Sequence, residues 1–181
     1  YTDTPDYTFY SSEAGSITCS HAFTGASNAI YGDITITFSS LSNDLTYNDI
    51  TITVTDATGN ISDALTVSSF TVDLNNPEIV VGTANVTSNN ANTALAKESD
   101  TVTLTFGTNE RIDVDALSLV IKCGEVPIHN DYITYSTDAT GAYSASFTVQ
   151  SDTTGVVTVS EVVMTDMAGN QTNITNLSLS S

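Results

Sequence analysis

The side chains able to do chemistry in this chain are almost all oxygen donors. Asp56 ends one apolar run, Asp73 and Asn75 follow another, and Glu110, Asp113 and Asp115 fall within one short stretch further on. Ca²⁺ is held by about six to eight oxygens that mix carboxylates with carbonyls. These six residues are therefore the candidate metal ligands, and Ca²⁺ is the candidate cofactor. No EF-hand loop orders them. Asp56 and Asp166 carry a second reading, because an Asp side chain caps a turn by accepting backbone amides two residues on. The carboxylates Glu13 and Asp33, or Glu110 and Asp113, have the residue types of a glycosidase pair, but a chain without Trp and without an evident deep pocket gives them no substrate. Cys19 and His21 share a strand face by alternation, and His129 stands alone. None of these belongs to a nucleophile motif, and no enzymatic activity is expected. Five Asn-x-Ser/Thr sequons begin at Asn60, Asn85, Asn170, Asn173 and Asn176 and are the candidate glycosylation sites.

The elements that would position these groups are strands. Thr55-Asp56-Ala57-Thr58-Gly59-Asn60 closes the apolar run Ile52-Thr53-Val54, and Thr165-Asp166-Met167-Ala168-Gly169-Asn170 closes Val162-Val163-Met164. Upstream, Phe9-Tyr10-Ser11-Ser12-Glu13 is echoed by Phe106-Gly107-Thr108-Asn109-Glu110. Two echoes in the same order mean two copies of one unit. Period-2 alternation predicts strands in the first copy over Tyr7–Tyr10, Gly15–Thr18, Asp33–Phe38, Ile50–Thr55 and Ala64–Val72. Asp73-Leu74-Asn75-Asn76-Pro77 breaks the pattern and gives a boundary, with domains 1–74 and 75–181. The second copy reads as strands over Glu78–Thr87, Asp100–Phe106, Leu117–Lys122, Tyr132–Tyr135, Gly141–Gln150, Gly155–Asp166 and Asn173–Leu179, with a short helical turn over Ala94–Glu98. Regularly spaced strands between turn signals predict all-β antiparallel sandwiches. Thr-x-Thr pairs such as Thr35/Thr37 and Thr51/Thr53 follow no solenoid period and read as the wet faces of ordinary strands.

Composition narrows the function classes. Lys97, Arg111 and Lys122 are the basic residues against 21 acidic ones, for a formal net charge of −18. Nucleic acids and anionic membrane surfaces are poor partners for such a chain, whereas divalent cations are favoured. No run of about 18 apolar residues predicts a membrane-spanning helix, so no membrane insertion is expected. Cys19 and Cys123, one per copy, have no zinc-finger spacing and read as buried thiols rather than a bridge.

The pattern Tyr7-Thr8-Phe9…Ser12-Glu13-Ala14-Gly15-Ser16-Ile17, Ile50–Asn60 and Phe70-Thr71-Val72-Asp73 resembles the bacterial Ig-like repeats of large surface proteins. The second copy resembles them through Val102–Phe106, Glu110 and Val163–Asn170. The resemblance implies two tandem immunoglobulin-like antiparallel β-sandwiches at the cell surface or outside the cell. It implies spacers or adhesion modules, some of which bind Ca²⁺ at domain boundaries, and it supplies no catalytic residues. One departure stands out. The stretch from Pro77 to Phe106 holds an opening strand, while the chain ahead of Phe9 has no room for one. Either the sequence is cut from a longer array, or the first domain accepts a strand from a neighbouring copy, which would build a filament. The expected function is therefore a non-enzymatic segment or subunit of a surface fibre or adhesin stalk, its partners being copies of itself or further repeats. The alternative is a module that binds glycans or a host surface through Tyr31, Tyr47, Tyr132 and Tyr135.

Overall fold

Val, Ile, Phe and Tyr alternating with Thr and Ser suit a pleated surface that is dry on one face and wet on the other. The computed structural model, which describes residues 3–138, 141–151 and 153–179, is accordingly all-β, with antiparallel sheets and two short 3₁₀ turns. The chain separates into two compact units, Tyr1–Asn75 and Asn76–Ser181. The division falls one residue beyond the boundary expected from the turn-rich linker.

Unit 1 contains β1 (Asp6–Ser11), β2 (Gly15–Cys19), β3 (Phe23–Gly25), β4 (Asn28–Ala29), β5 (Gly32–Phe38), β6 (Thr46–Tyr47), β7 (Thr51–Thr55), β8 (Leu65–Thr66) and β9 (Phe70–Thr71). One sheet runs β1-β5-β3, a second β4-β2-β7-β8, and β6 pairs with β9. Phe9, Ile17, Ile34, Ile36, Phe38, Ile50, Ile52, Val67 and Val72 share one core. Phe38 and Phe70 stack with centroids 6.2 Å apart. On the wet faces, Thr8 bonds Thr35 and Thr46 bonds Thr71 across strands, both at 2.8 Å. The Thr pairs thus act as local cross-strand partners. The expected long strand Ala64–Val72 is instead two short pieces. β8 pairs with β7 and β9 with β6, so the chain changes sheets between them. The alternation slips by one residue there, from Leu65 and Val67 to Phe70 and Val72 across Ser68-Ser69, and that slip marks the crossing.

Unit 2 contains β10 (Asn85–Ser88), β11 (Thr101–Phe106), β12 (Ser118–Cys123), β13 (Val126–Pro127), β14 (Thr134–Thr137), β15 (Tyr143–Thr148), β16 (Val157–Thr165) and β17 (Gln171–Leu177). They form two four-stranded sheets, β10-β11-β15-β14 and β13-β12-β16-β17. One core joins both sheets, with Leu104, Phe106, Leu119, Ile121, Ala145, Phe147, Val162 and Met164 in it. This is a sandwich by its packing. The 3₁₀ turns fall at Val114–Ala116 and Asn130–Tyr132 and not at Ala94–Glu98, which is irregular. Each 3₁₀ turn has a side-chain cap: Asp113 accepts from Asp115 N–H and His129 from Asp131 N–H. Asn92 Oδ1 accepts from Ala94 N–H at 3.2 Å in the same way, but there the cap leads into no helix.

Both sequence echoes are structural. Asp56 N–H donates to the Asn60 carbonyl at 3.0 Å, and Asp166 N–H to the Asn170 carbonyl at 3.0 Å. The side chains repeat the match: Asn60 Nδ2 donates to Asp56 Oδ2 at 2.7 Å and Asn170 Nδ2 to Asp166 Oδ2 at 2.8 Å. Gly59 and Gly169 both hold positive φ, 93° and 97°, which a side chain would strain. In the second echo, Ser11 Oγ donates to the Glu13 carbonyl at 2.7 Å, and Thr108 Oγ1 donates to the Glu110 carbonyl. β1 and β11 therefore hold the same place in their units.

Candidate functional site

That equivalence exposes one difference. In unit 2, the side of β11 away from β15 is occupied: β10 pairs along it, Val86 opposite Leu104. The covering continues beyond β11, where Val80 N–H donates to the Gly107 carbonyl at 2.9 Å and Glu78 N–H to Asn109 Oδ1 at 2.7 Å. In unit 1, β1 is the outermost strand of its sheet, and among the described residues β5 is the strand it pairs with.

The register identifies which groups face the open side. Phe38 N–H donates to the Pro5 carbonyl at 3.0 Å, and the pairs Tyr7↔Ile36, Phe9↔Ile34 and Ser11↔Gly32 continue in phase. Antiparallel pairs alternate between bonded and non-bonded. The backbone N–H and C=O groups of Asp6, Thr8 and Tyr10 therefore point away from β5. They form a row of donors and acceptors on the free edge, the template that an added strand uses. Beside this row lies a cavity of about 490 Å³. Tyr7, Phe38, Val67, Phe70 and Val72 form its apolar lining. In unit 2, Val86 of β10 packs against the core from the matching side. The candidate site is therefore an edge ladder next to an apolar slot, both within unit 1.

The expected metal ligands are not all gathered into one place. Asp56 is committed to its own turn: Oδ1 accepts from Thr58 N–H at 2.8 Å and Asn60 N–H at 2.9 Å, and Oδ2 from Asn60 Nδ2. The Asn60 side chain, the Asn60 backbone amide and the Thr58 hydroxyl hold its carboxyl well below the usual range. Asp73 accepts from Asn75 N–H at 3.1 Å, while Asn75 bridges Asn43 and Asp44 at 2.9 and 2.8 Å. Glu110, Asp113 and Asp115 line one polar depression of unit 2 together with Asp138 and Arg111. Asp113 caps the 3₁₀ turn there, and Asp115 is exposed. One carboxylate close to Glu110 within unit 2 is a residue read only as a turn cap. Asp166 and Glu110 place oxygens within 4.8 Å of one another. The bridge between Ile112 and Asp166 makes that approach, a long-range pairing with no local signal.

Other candidates sort clearly. Tyr31 and Tyr132 are exposed, but Tyr47 is buried with its hydroxyl accepting from Ser42 N–H, and Tyr135 accepts from Leu119 N–H. Of the four aromatics expected at a binding surface, Tyr47 is thus a core residue and Tyr135 is half-buried against the core. Cys19 and Cys123 are free thiols, and burial pushes the Cys123 thiol up. The His21 ring packs edge-on to Tyr47 at 5.1 Å. Asp100 was not a candidate. It joins Lys97 Nζ at 2.8 Å and Asn90 Nδ2 at 2.8 Å, which lowers its carboxyl to about 2. It ties the loop ahead of β11 to itself. No helix of the described residues is long and apolar enough to cross a membrane. No family model, curated protein or solved structure matches this chain.

Proposed function

We propose that this chain is a non-enzymatic structural module of an extracellular or cell-surface fibre, and that the free edge of β1 takes a β-strand from a neighbouring subunit or repeat. The observation that carries the reading is the contrast between β11, covered by β10, and β1, whose outward ladder lies beside an apolar slot. Two further features support it. The strand order of unit 2, β10-β11-β15-β14 facing β13-β12-β16-β17, is the Greek-key order expected of an immunoglobulin-like sandwich. The net charge of −18 suits a chain that stays dissolved and meets only selected partners. A strand donated in this way links copies through unlike surfaces, and such contacts propagate when they do not close.

Thr8→Pro tests the reading. It removes an outward N–H and the Thr8–Thr35 hydroxyl bond while leaving the backbone bonds to β5 in place, as edge strands tolerate. A synthetic peptide with the sequence of residues 82–90, which includes β10, is the probe. It is expected to bind the unsubstituted chain and raise its melting temperature, with the effect lost in Thr8→Pro. Equal binding by both proteins, or by neither, contradicts the reading. Calcium is proposed as a stiffener on the Glu110 and Asp166 carboxylates of unit 2. Added Ca²⁺ is then expected to raise the melting temperature and a chelator to reverse the gain; identical melting curves oppose it.

A second reading, glycan binding, rests on one pair. Tyr10 and Tyr31 are 57% and 73% exposed and meet edge-on at 5.7 Å. Binding on a glycan array that is lost in Tyr31→Ala would support it.

A further inference from the structure

We propose that Asn176 is the N-glycan acceptor of this chain. The sequence offers five sequons and favours the cluster Asn170, Asn173 and Asn176, whose members the structure separates. Asn170 is 7% exposed and its Nδ2 is held by buried Asp166 at 2.8 Å, so a sugar there would have to break the turn. Asn60 is exposed, but its Nδ2 donates to Asp56 Oδ2 at 2.7 Å and Thr58 Oγ1 at 2.8 Å within the matching turn. Asn85 is half-buried on β10, and Asn173 is tied to Glu161 of β16 at 2.7 Å.

Asn176 differs from all four. It lies on β17, the outermost strand of its sheet, and is exposed, as is Ser178 at the second sequon position. The ladder skips it: Val159 faces Leu177 and Glu161 faces Thr175, which leaves Ser160 and Asn176 out of the pairing. The cause lies one strand further in. The β12–β16 register shifts between Val120 and Ile121, and Ser160 Oγ bonds the Val120 carbonyl at 3.2 Å. The disturbance passes to the edge as a left-handed residue, with Asn176 at φ 55°. Asn is among the few residues that accept this backbone at low cost. The carboxamide is presented on a local kink rather than in regular extended chain.

The step is a transfer from a lipid-phosphate-activated oligosaccharide. A bond forms between Asn176 Nδ2 and the anomeric carbon. The bond from that carbon to the donor phosphate oxygen breaks, the phosphate leaves with the electron pair, and the amide proton passes to a base. A bulky hydrated chain at this position shields the free side of β17 from edge pairing. The acceptor assignment stands on exposure and backbone alone and does not depend on strand donation at β1.

The test is glycopeptide mass mapping of the full chain secreted by a glycosylating host. An appended tag carries one unstructured sequon as an internal control. With the tag glycosylated, Asn176 is expected to carry sugar and Asn170 none. Asn176→Gln and Ser178→Ala are each expected to remove that glycan, and Ser178→Ala, which keeps Asn at the left-handed position, to do so without changing the melting temperature of enzymatically deglycosylated protein. A glycosylated tag with a bare Asn176, or sugar on Asn170 in folded secreted protein, overturns the assignment.

Discussion

Asp56 and Asp166 occupy the same turn with the same bonds, and they differ in burial. Asp56 is half-buried with an exposed Asn60, whereas Asp166 and Asn170 are 3% and 7% exposed. Deleting Asp166 leaves the half-buried Ala168 amide and the buried Asn170 amide and carboxamide without their acceptor. Each stranded group costs about 1–3 kcal/mol. Asp166→Ala is therefore expected to destabilise by about 3 kcal/mol, and Asp56→Ala by clearly less, read by denaturant unfolding. Equal losses contradict the comparison. Asp100 supplies a pH test. Its folded pKa of about 2 lies below the unfolded value of about 3.9. A depressed carboxylate contributes stability that is present above the unfolded pKa and lost as pH falls through the folded one. Between pH ~4 and ~2 the melting temperature of the unsubstituted chain is expected to fall more steeply than that of Asp100→Asn; parallel curves contradict this. The turn residues were legible because an Asx turn is local chemistry. The Lys97–Asp100–Asn90 link was not, because it closes a loop whose path no periodicity encodes.

At the scale of elements, the long strands could be read, because alternation reports a face buried against one core. β1, β2, β5, β7, β11, β12, β15 and β16 lie within a residue or two of their expected places, apart from the shorter ends of β15 and β16. Short strands such as β3, β4, β6 and β13 lack enough residues to show a period. The crossing between β8 and β9 left one short trace, a one-residue slip of the alternation at Ser68-Ser69, inside what otherwise reads as one strand. The apolar lining of the slot shows the same limit. Tyr7 and Phe38 could be placed on strands, but Val67, Phe70 and Val72 reach it only through that crossing. Ile36, fully buried at the centre of the β1-β5-β3 sheet, supports both the core and the β1 register. Ile36→Ala is expected to cost about 2–5 kcal/mol and to weaken binding of the strand peptide as β1 loosens. A loss below about 1 kcal/mol would show that the core does not hold β1 in place.

For the whole molecule, the duplication was legible, and so was the missing opening strand ahead of Phe9, because two copies with unequal spacing show which one lacks an element. Two copies of a unit announce themselves through paired motifs. Which backbone groups that edge presents shows only when the β1–β5 register is known, because hydrogen-bond partners are long-range. The central claim is that the outward amides of β1 are a docking ladder. Residue-resolved hydrogen exchange at Asp6, Thr8 and Tyr10, compared between the native assembly and the isolated chain, tests it most directly. The expected result is fast exchange at all three in the isolated chain and strong protection in the assembly, with Tyr7 and Phe9 slow in both. Fast exchange of Asp6, Thr8 and Tyr10 within the native assembly would contradict the claim.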